Sequence, residues 1–195
     1  MSYFSKALSL KFEQEKTPFF FYDLGLLDQT LERLNQAIEG SPFMVHYAIK
    51  ANANSEILDR IKAHGLGIDC VSGNEIKRAI EHGFGADEIA FAGVGKTDEE
   101  ILYGLEQGIF TFNVESLPEL KVISEIADKE GKVANIAIRL NPNVNAKTHK
   151  YITTGLEENK FGINPWELSE LFDLLGKLPA IQLKGIHFHI GSQVT

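Results

Sequence analysis

The sequence has 195 residues, of which 44% are hydrophobic and 24% are charged, and its formal net charge is −8. This is the composition of an ordinary globular domain, and an acidic chain without a basic block is a poor candidate for binding nucleic acid or an anionic membrane. The single cysteine, Cys70, excludes an intrachain disulfide, and no apolar run is long enough to predict a signal peptide or a membrane-spanning helix, so we expect a cytoplasmic protein.

The first predicted element in chain order is an apolar run at 18–23, and an amphipathic helix is predicted after it, over 26–38. The run predicts a strand that belongs either to the main sheet or to a separate small domain. No low-complexity stretch and no Pro/Ser-rich linker divides the chain further.

From residue 43 onward, short apolar runs alternate with amphipathic segments. The runs predict strands at 43–49, 66–71, 88–92, 109–113, 133–140 and 181–190. Helices are predicted at 54–64, 74–82, 98–107, 118–129 and 167–175. Four of these helices end beside a glycine, a common helix stop signal: Gly65, Gly83, Gly108 and Gly131.

This alternation is typical of parallel β-α units. Six successive units without a glycine-rich dinucleotide turn favour a TIM-type (β/α)8 barrel over a Rossmann sheet. Because such a barrel usually needs about 250 residues, the sequence predicts an α/β fold with an incomplete barrel of about six of the eight units.

In barrels of this kind, catalytic residues lie at the carboxyl ends of the strands. Nearly every predicted strand ends in a polar or charged group: Lys50, Asp69, the turn 93–96, Asn113, Arg139 with Asn141, and His187 with His189. A purely structural barrel does not need so many polar groups at its strand ends. The long connection at 141–164 is also typical of a functional loop.

Lys50 follows a predicted strand directly, in the segment YAIKAN at 47–52. A lysine at a barrel mouth is expected to be partly desolvated, which favours the neutral amine that Schiff-base formation requires. The competing interpretation is a solvated lysine after a strand, and position alone favours it.

His187 and His189 lie two residues apart on the last predicted strand, so their side chains face the same way. Such a pair could bind a metal with Asp69 as a further ligand, which would indicate a metal-dependent hydrolase. Alternatively, His189 packs on an aromatic cofactor, and one of the two histidines is a satisfied structural residue.

Two glycine-containing turns offer backbone N–H groups to an anion. Gly191 and Ser192 could hold a phosphate at the barrel mouth, although this pair is common in loops. The turn GVGKT at 93–97 is similar to a P-loop, but that motif needs a glycine at position 90, where the chain has Ala90. We therefore reject nucleotide binding and expect this turn to shape the barrel mouth.

Arg139 ends the fifth predicted strand and would be costly to bury without an anionic partner. A ligand carboxylate or phosphate is one candidate partner, and Glu75 is the candidate within the protein. The sequence leaves these two open. Cys70 lies inside a predicted strand, where we expect a small core residue without a catalytic role.

Several segments together resemble a known family. They are YAIKAN at 47–52, DCVSGNE at 69–75, FAGVGKT at 91–97, FNVES at 112–116, RLNP at 139–142 with KTH at 147–149, TGL at 154–156, KFG at 160–162 and GIHFHIGSQ at 185–193. They resemble the pyridoxal-phosphate (PLP)-dependent decarboxylases with an alanine-racemase-like barrel, and most closely the diaminopimelate decarboxylases. The stretch at 139–162 is the part that resembles the diaminopimelate decarboxylases specifically.

The resemblance implies a role for individual residues. Lys50 would be the Schiff-base lysine and His189 would stack on the cofactor ring, which makes these two the catalytic residues. The other implied cofactor-binding positions are Ala48, Asp69, Glu75, Arg139, Gly191 and Ser192, with Ser192 near the phosphate and Glu75 supporting Arg139. Lys160 would lie near a dimer interface, and no metal is implied.

The implied reaction is the decarboxylation of meso-2,6-diaminopimelate to L-lysine and CO2 in a homodimer, with PLP as the electron sink. The implied architecture places 1–24, with a strand at 19–22, in a second β-domain and 25–195 in the barrel. Two barrel strands, the family's phosphate loop, the acidic partner of the pyridine nitrogen and a cysteine from the second subunit would lie later in the chain. We therefore expect open edges on strands one and six, weak PLP binding and no activity from these 195 residues alone.

Two related functions are alternatives. A non-catalytic PLP-binding barrel of the homeostasis type shares the Lys-Ala-Asn signature at 50–52, but 139–162 and 187–193 do not resemble it. A decarboxylase for ornithine or carboxynorspermidine would differ mainly in substrate-selecting residues that lie beyond position 195.

Overall fold

The structure is a computed structural model that describes residues 4–142 and 161–191. The chain divides into two compact units, residues 1–39 and residues 40–195. No helix in the described ranges has both the length and the apolar character needed to cross a membrane. The boundary predicted after residue 24 separates a second β-domain from the barrel domain. It stays a prediction.

The first unit begins with a short helix, α1 (Lys6–Phe12). The side chain of Ser5 accepts a hydrogen bond from the Leu8 N–H at 3.2 Å and so satisfies one of the free donors at the helix start. Sequence analysis missed this helix. It is seven residues long and buries none of them, so it lacks the apolar stripe that periodicity detects.

The second helix of this unit is α2 (Leu24–Ile38), which confirms the helix predicted at 26–38. It begins after Asp23, whose carboxylate accepts a hydrogen bond from the Leu26 N–H at 3.0 Å. An aspartate at this position caps a helix well, because its carboxylate also complements the positive end of the helix dipole.

The segment 19–22, predicted as a strand, lies in neither a helix nor a strand. A strand needs a neighbour to satisfy its backbone groups, and in the part of the chain that is described none pairs with this segment. Two of its rings instead pack on α1, with the ring centroids of Phe19 and Phe21 at 5.5 and 5.0 Å from that of Phe12. The place of this segment in a second β-domain stays a prediction.

The second unit is built on one six-stranded sheet. Its strands are β1 (His46–Ala48), β2 (Gly67–Cys70), β3 (Ile89–Phe91), β4 (Thr111–Val114), β5 (Ala134–Leu140) and β6 (Ile181–Phe188). All neighbouring strands are parallel, and their order in the sheet is their order in the chain. Barrels have this order, whereas a doubly wound sheet reverses it at a switch point. The predicted α/β fold and partial barrel are confirmed.

Five helices connect or follow these strands. They are α3 (Ser55–Ala63), α4 (Gly73–Glu81), α5 (Asp98–Gln107), α6 (Leu117–Lys129) and α7 (Leu168–Leu175). The glycines that were predicted to stop four of them have φ angles between 63° and 79°. Residues with side chains rarely adopt this left-handed region, so each glycine ends its helix at a defined point and releases the chain toward the next strand.

The core lies between the sheet and its helices. Strand β4 is buried at every position because both of its faces are covered, as is typical of a central strand in a parallel sheet. The largest fully buried side chains on the strands include Ile68, Phe91, Phe112 and Ile136. This packing fixes the strand ends relative to one another, and with them the side chains that follow each strand.

Among the described residues, β1 and β6 are the two edges of the sheet and neither pairs with a further strand, as the sequence predicted. Strand β6 also carries exposed apolar side chains, among them Ile186 at 63% and Phe188 at 60% exposure. Central strands and edge strands of this sheet therefore differ strongly in burial, and the unpaired edges are competent to pair with another segment.

Candidate functional site

A cavity of about 300 Å³ lies at the carboxyl ends of the strands. It is lined by Lys50, Asp69, Val71, Ala92, Gly93, Val94, Arg139, Pro142, Phe161, His187 and His189. Four predicted site residues, namely Lys50, Asp69, Arg139 and His189, are thus brought together from different strands. A cavity of this size is at the lower end of the range for small-molecule sites.

Lys50 lies in a short 3-10 turn, Ile49–Ala51, that directly follows β1. Ile49 is 1% exposed and fixes this turn in the core. Lys50 itself is exposed, which contradicts the partial desolvation that was expected for it. The reason is its position beside β1, an edge of the sheet where no further strand covers the lysine.

Asp69 lies in β2, and the strand register places it beside Ala48 of β1. Burial raises the pKa of the Asp69 carboxyl, and the nearby positive charge of Lys50 opposes this rise, with smaller opposing effects from His46 and Arg139. The Lys50 amine is therefore close enough to the carboxyl group to oppose the rise of its pKa.

Arg139, near the end of β5, pairs with Glu115, the residue directly after β4. Its Nη1 donates to both carboxylate oxygens, at 2.6 and 2.7 Å. The Glu115 side chain is 3% exposed and that of Arg139 is 13% exposed. The Phe161 ring lies beside the guanidinium, with 5.6 Å from Cζ to the ring centroid. The arginine is thus charge-compensated by the protein while it lines the cavity.

The predicted protein partner of Arg139 was Glu75, and this prediction is wrong. The Glu75 carboxylate instead accepts a hydrogen bond from the Val71 N–H at 2.6 Å, at the start of the turn into α4. Strand β2, which precedes Glu75, is separated from β5 by two other strands. Since β4 is the direct neighbour of β5, the carboxylate that follows β4 is the one within reach. Strand order, already predicted, was the signal that could have indicated Glu115.

The turn after β3 forms part of the cavity wall through Gly93 and Val94. Gly93 has a φ of 113°, which favours glycine, and its N–H donates to Glu115 Oε1 at 3.1 Å. Lys96 does not line the cavity as a P-loop lysine would. Its ammonium group donates to the carbonyl oxygens of Gly93 at 2.7 Å and Asn113 at 2.9 Å. The turn therefore shapes the mouth, as expected.

Both histidines of the His-x-His pair line the cavity. Burial lowers the pKa of His187 and of His189, and the positive charge of Arg139 lowers both further. Both rings are therefore mainly uncharged at neutral pH. The Nδ1 atom of His187 is buried, and within the described ranges it has no hydrogen-bond partner. His187 is therefore not a structural histidine with both ring nitrogens satisfied. It lines the cavity, although it was absent from the predicted site residues.

The metal-site hypothesis needed three ligands from His187, His189 and Asp69. In residues 4–142 and 161–191, no group of three or more His, Cys, Asp or Glu side chains is arranged to hold a metal ion.

The other predicted site residues lie elsewhere. Ala48 is half-buried in β1 and does not line the cavity, and Gly191 follows β6 with a φ of 132°. Ser192, Lys160 and the motifs at 147–149 and 154–156 are outside the described residues. Cys70 is fully buried in β2, where burial raises the pKa of its thiol, which agrees with a core role.

The lining fits a flat ligand that carries a carbonyl group and a negative charge. Lys50 offers an amine, the rings of Phe161 and His189 offer flat surfaces, and Arg139 adds a guanidinium group whose charge Glu115 balances. The unsatisfied Nδ1 of His187 is the group in this wall that a polar atom of a ligand would satisfy.

Comparison with curated proteins finds close relatives of one kind. The chain is 52% identical over 185 residues to the diaminopimelate decarboxylase of Bacteroides thetaiotaomicron, covering 94% of this chain and 48% of the relative. It is 45% identical to the diaminopimelate decarboxylase of Helicobacter pylori strain J99, covering 94% of this chain and 45% of the relative. The chain thus spans about half the length of the curated relatives it matches.

Solved structures agree. The diaminopimelate decarboxylase of Helicobacter pylori complexed with L-lysine superposes with a TM-score of 0.89 at 43% identity, covering 96% of this chain and 48% of that chain. The arginine decarboxylase of Paramecium bursaria Chlorella virus has a TM-score of 0.69 at 27% identity, covering 85% of this chain and 42% of that one. The family described as pyridoxal-dependent decarboxylase, pyridoxal binding domain, matches residues 24–195. The chain therefore belongs to the pyridoxal-dependent decarboxylases, and 24–195 is its pyridoxal-binding domain.

Proposed function

We propose that this chain is the cofactor-binding part of a diaminopimelate decarboxylase, which converts meso-2,6-diaminopimelate to L-lysine and CO2. The cofactor that family membership implies is pyridoxal phosphate. The observation that carries the proposal is the convergence of Lys50, Asp69, Arg139 and His189 on one cavity at the carboxyl ends of the strands. A cytoplasmic location and a homodimer are parts of the same proposal.

The choice of substrate is supported by the graded similarity to relatives. Identity is 52% to a diaminopimelate decarboxylase and 27% to an arginine decarboxylase that shares the fold. A solved relative at 43% identity was crystallised with L-lysine, the product of the proposed reaction. These values favour diaminopimelate over the arginine- or ornithine-type substrates of more distant relatives.

The cavity lining offers groups for the carbonyl carbon, the ring face and the polar edge of the cofactor. Lys50 presents the amine that would hold the cofactor's carbonyl carbon covalently. The His189 ring, kept neutral by burial and by Arg139, would lie against the flat face of the pyridine ring without adding a charge there. Arg139 and Asp69 would fix its polar edge, and Gly191 with Ser192 would lie near the phosphate.

When bound, pyridoxal phosphate delocalises the electron pair that remains after CO2 departs. The protein's own part is to position and to protonate. Lys50 would hold the cofactor in the absence of substrate, and its amine, once free, would carry a proton within the cavity. The apolar side chains of Val71, Ala92 and Phe161 line the same cavity and limit the water beside the reacting carbon.

The 195-residue chain by itself is proposed to bind the cofactor weakly and to lack decarboxylase activity. The support is its open sheet, in which β1 and β6 are edges and Lys50 is exposed beside one of them. Incubation with saturating pyridoxal phosphate and diaminopimelate tests this. Lysine formation at a turnover of about 1 per second or faster, an ordinary enzyme rate, would contradict it.

Borohydride reduction in the presence of pyridoxal phosphate, followed by peptide mass mapping, tests the assigned lysine. We expect a pyridoxyl adduct on Lys50 and no adduct at that peptide in the Lys50→Ala variant. Lys96 is the internal control, because its side chain is 1% exposed and tied to three acceptors, so it should stay unlabelled. Labelling confined to other lysines, both in this chain and in a longer version of the protein, would reject Lys50 as the cofactor lysine.

A further inference from the structure

Lys96 is a buried lysine outside the cavity lining. Its side chain is 1% exposed, and its ammonium group donates to Glu119 Oε1 at 2.7 Å in addition to the two carbonyl oxygens of Gly93 and Asn113. The Phe91 ring lies 5.2 Å from Nζ and covers the remaining side. The three donors of the ammonium group therefore each have an acceptor, so its burial leaves none of them unsatisfied.

Glu119 connects Lys96 to a residue nearer the cavity. It lies in the first turn of α6, and its second oxygen, Oε2, accepts a hydrogen bond from the Glu115 N–H at 2.7 Å. Glu119 thus links the ammonium group to the backbone of Glu115. Because Glu115 lies between the end of β4 and Ser116, which caps α6, the link also fixes the helix start against the end of β4.

Glu115 is the residue of this hydrogen-bond network that binds a cavity-lining side chain, Arg139. Its backbone is held by Glu119, and its carboxylate binds Arg139 and the Gly93 N–H. Gly93 is held twice, because its carbonyl oxygen accepts from Lys96. Two negative side chains, Glu119 and Glu115, thus lie between two positive ones, Lys96 in the core and Arg139 at the cavity wall, and the four charges sum to zero.

This arrangement makes the position of Arg139 depend on Lys96, although the two do not share a hydrogen bond. Without the ammonium group, Glu119 Oε1 and the carbonyl oxygens of Gly93 and Asn113 would lose the donor that they share, which is unfavourable for buried acceptors. Rotation of Glu119 toward solvent would relieve this, but it would release the Glu115 N–H. Glu115 and the arginine bound to it would then lose their fixed geometry.

We propose that Lys96 and Glu119 are positioning residues that act through Glu115 to hold the Arg139 guanidinium at the cavity wall. The functional value of this position rests on the proposed decarboxylase site. The positioning itself can be measured without cofactor, so its failure and the failure of the proposed function are distinguishable.

The experiment is nitrogen-15 NMR of arginine side chains in the 195-residue chain. The arginines of the sequence are Arg33, Arg60, Arg78 and Arg139, so an Arg139→Lys variant assigns the signal. A guanidinium held by a buried carboxylate rotates slowly and gives separate Nη cross-peaks. We expect these peaks for Arg139 in the native chain, and their collapse into one averaged peak in Lys96→Met and in Glu119→Gln.

Lys62→Met is the matched control. Lys62 also pairs with a glutamate, Glu88, at 2.6 Å and also lies over a phenylalanine ring, but it belongs to the last turn of α3, away from the cavity. It should leave the Arg139 peaks unchanged. Backbone amide spectra report whether each variant remains folded.

If Lys96→Met does not fold, the Arg139 peaks of Glu119→Gln test the proposal. Unchanged Arg139 peaks in a folded Lys96→Met or Glu119→Gln chain would overturn the proposal. So would an equal change in Lys62→Met, because the effect would then be general. Failure of both network variants to fold while Lys62→Met folds would overturn it as well, since the network would then be a core element without a positioning role.

Discussion

Strand β3 has a lysine–glutamate pair near each of its ends, and both lysines lie over a phenylalanine ring. At the amino end, Lys62 pairs with Glu88 at 2.6 Å. At the carboxyl end, Lys96 pairs with Glu119 at 2.7 Å. The side chains of the first pair are 33% and 27% exposed, whereas those of the second are 1% and 13% exposed. Two pairs with the same chemistry thus differ mainly in burial.

This difference in burial shows at which end of the strand the fold buries a charged pair. A partly exposed pair is screened by water and contributes little to stability. A buried pair carries a desolvation penalty that its mutual attraction offsets only with good geometry, so it is poor evidence of net stabilisation. The buried pair lies at the carboxyl end, beside the cavity, and its contacts extend to Arg139 through Glu115. Charge is buried at the end of the barrel where a site needs fixed geometry.

Removal of each lysine gives the largest expected contrast. Lys96→Met should lower the free energy of unfolding by about 3–5 kcal/mol, because it leaves a buried carboxylate without its partner. Lys62→Met should lower it by less than about 1 kcal/mol. Urea unfolding followed by circular dichroism measures both. Equal losses would show that burial does not distinguish the two pairs.

The next contrast concerns two glutamates at the carboxyl end. Glu115→Gln should cost about 2–3 kcal/mol of unfolding free energy, since it weakens a buried bond to a charged guanidinium. Glu75→Gln should cost about 1 kcal/mol or less, because its remaining oxygen can still accept from the Val71 N–H. The same urea titration applies. A greater loss in Glu75→Gln would indicate that Glu75, as the sequence suggested, is the more important carboxylate.

The smallest contrast is a pH effect of two histidines at opposite ends of the barrel. His46, at the start of β1, and His187, near the end of β6, each bury a ring nitrogen without a partner in the part of the chain that is described. Burial lowers the pKa of both; nearby carboxylates of Asp69 and Glu88 oppose this at His46, whereas Arg139 reinforces it at His187. The unfolded chain therefore binds protons more readily than the folded chain below pH 7.

The sign follows from proton linkage: the contribution of these histidines to stability is present above their unfolded pKa of about 6.5 and is lost as the pH falls below it. Urea midpoints at pH 7.5 and about pH 5 should therefore differ, and His187→Gln should reduce the difference more than His46→Gln does. Each effect should be below about 1 kcal/mol, because solvent screens these half-buried rings. A larger reduction in His46→Gln would contradict the comparison.

The sequence by itself determined the alternation of six strands with helices, because apolar periodicity and glycine stops are local properties that short-range packing and backbone sterics enforce. It also placed Lys50, Asp69, Arg139 and His189 at one end of the sheet, since parallel strands bring their carboxyl ends together. The family follows from the motifs at those strand ends.

Only the tertiary structure decided which charges pair and which are buried. It paired Arg139 with Glu115 and not with Glu75, buried Lys96 and left Lys50 exposed at an edge of the sheet. Among the described residues, it also gave 19–22 no strand partner. Each outcome depends on which segments are neighbours across the sheet and on what covers them. Coulomb energy and desolvation act over a few ångströms in space, and distance along the chain does not report that separation.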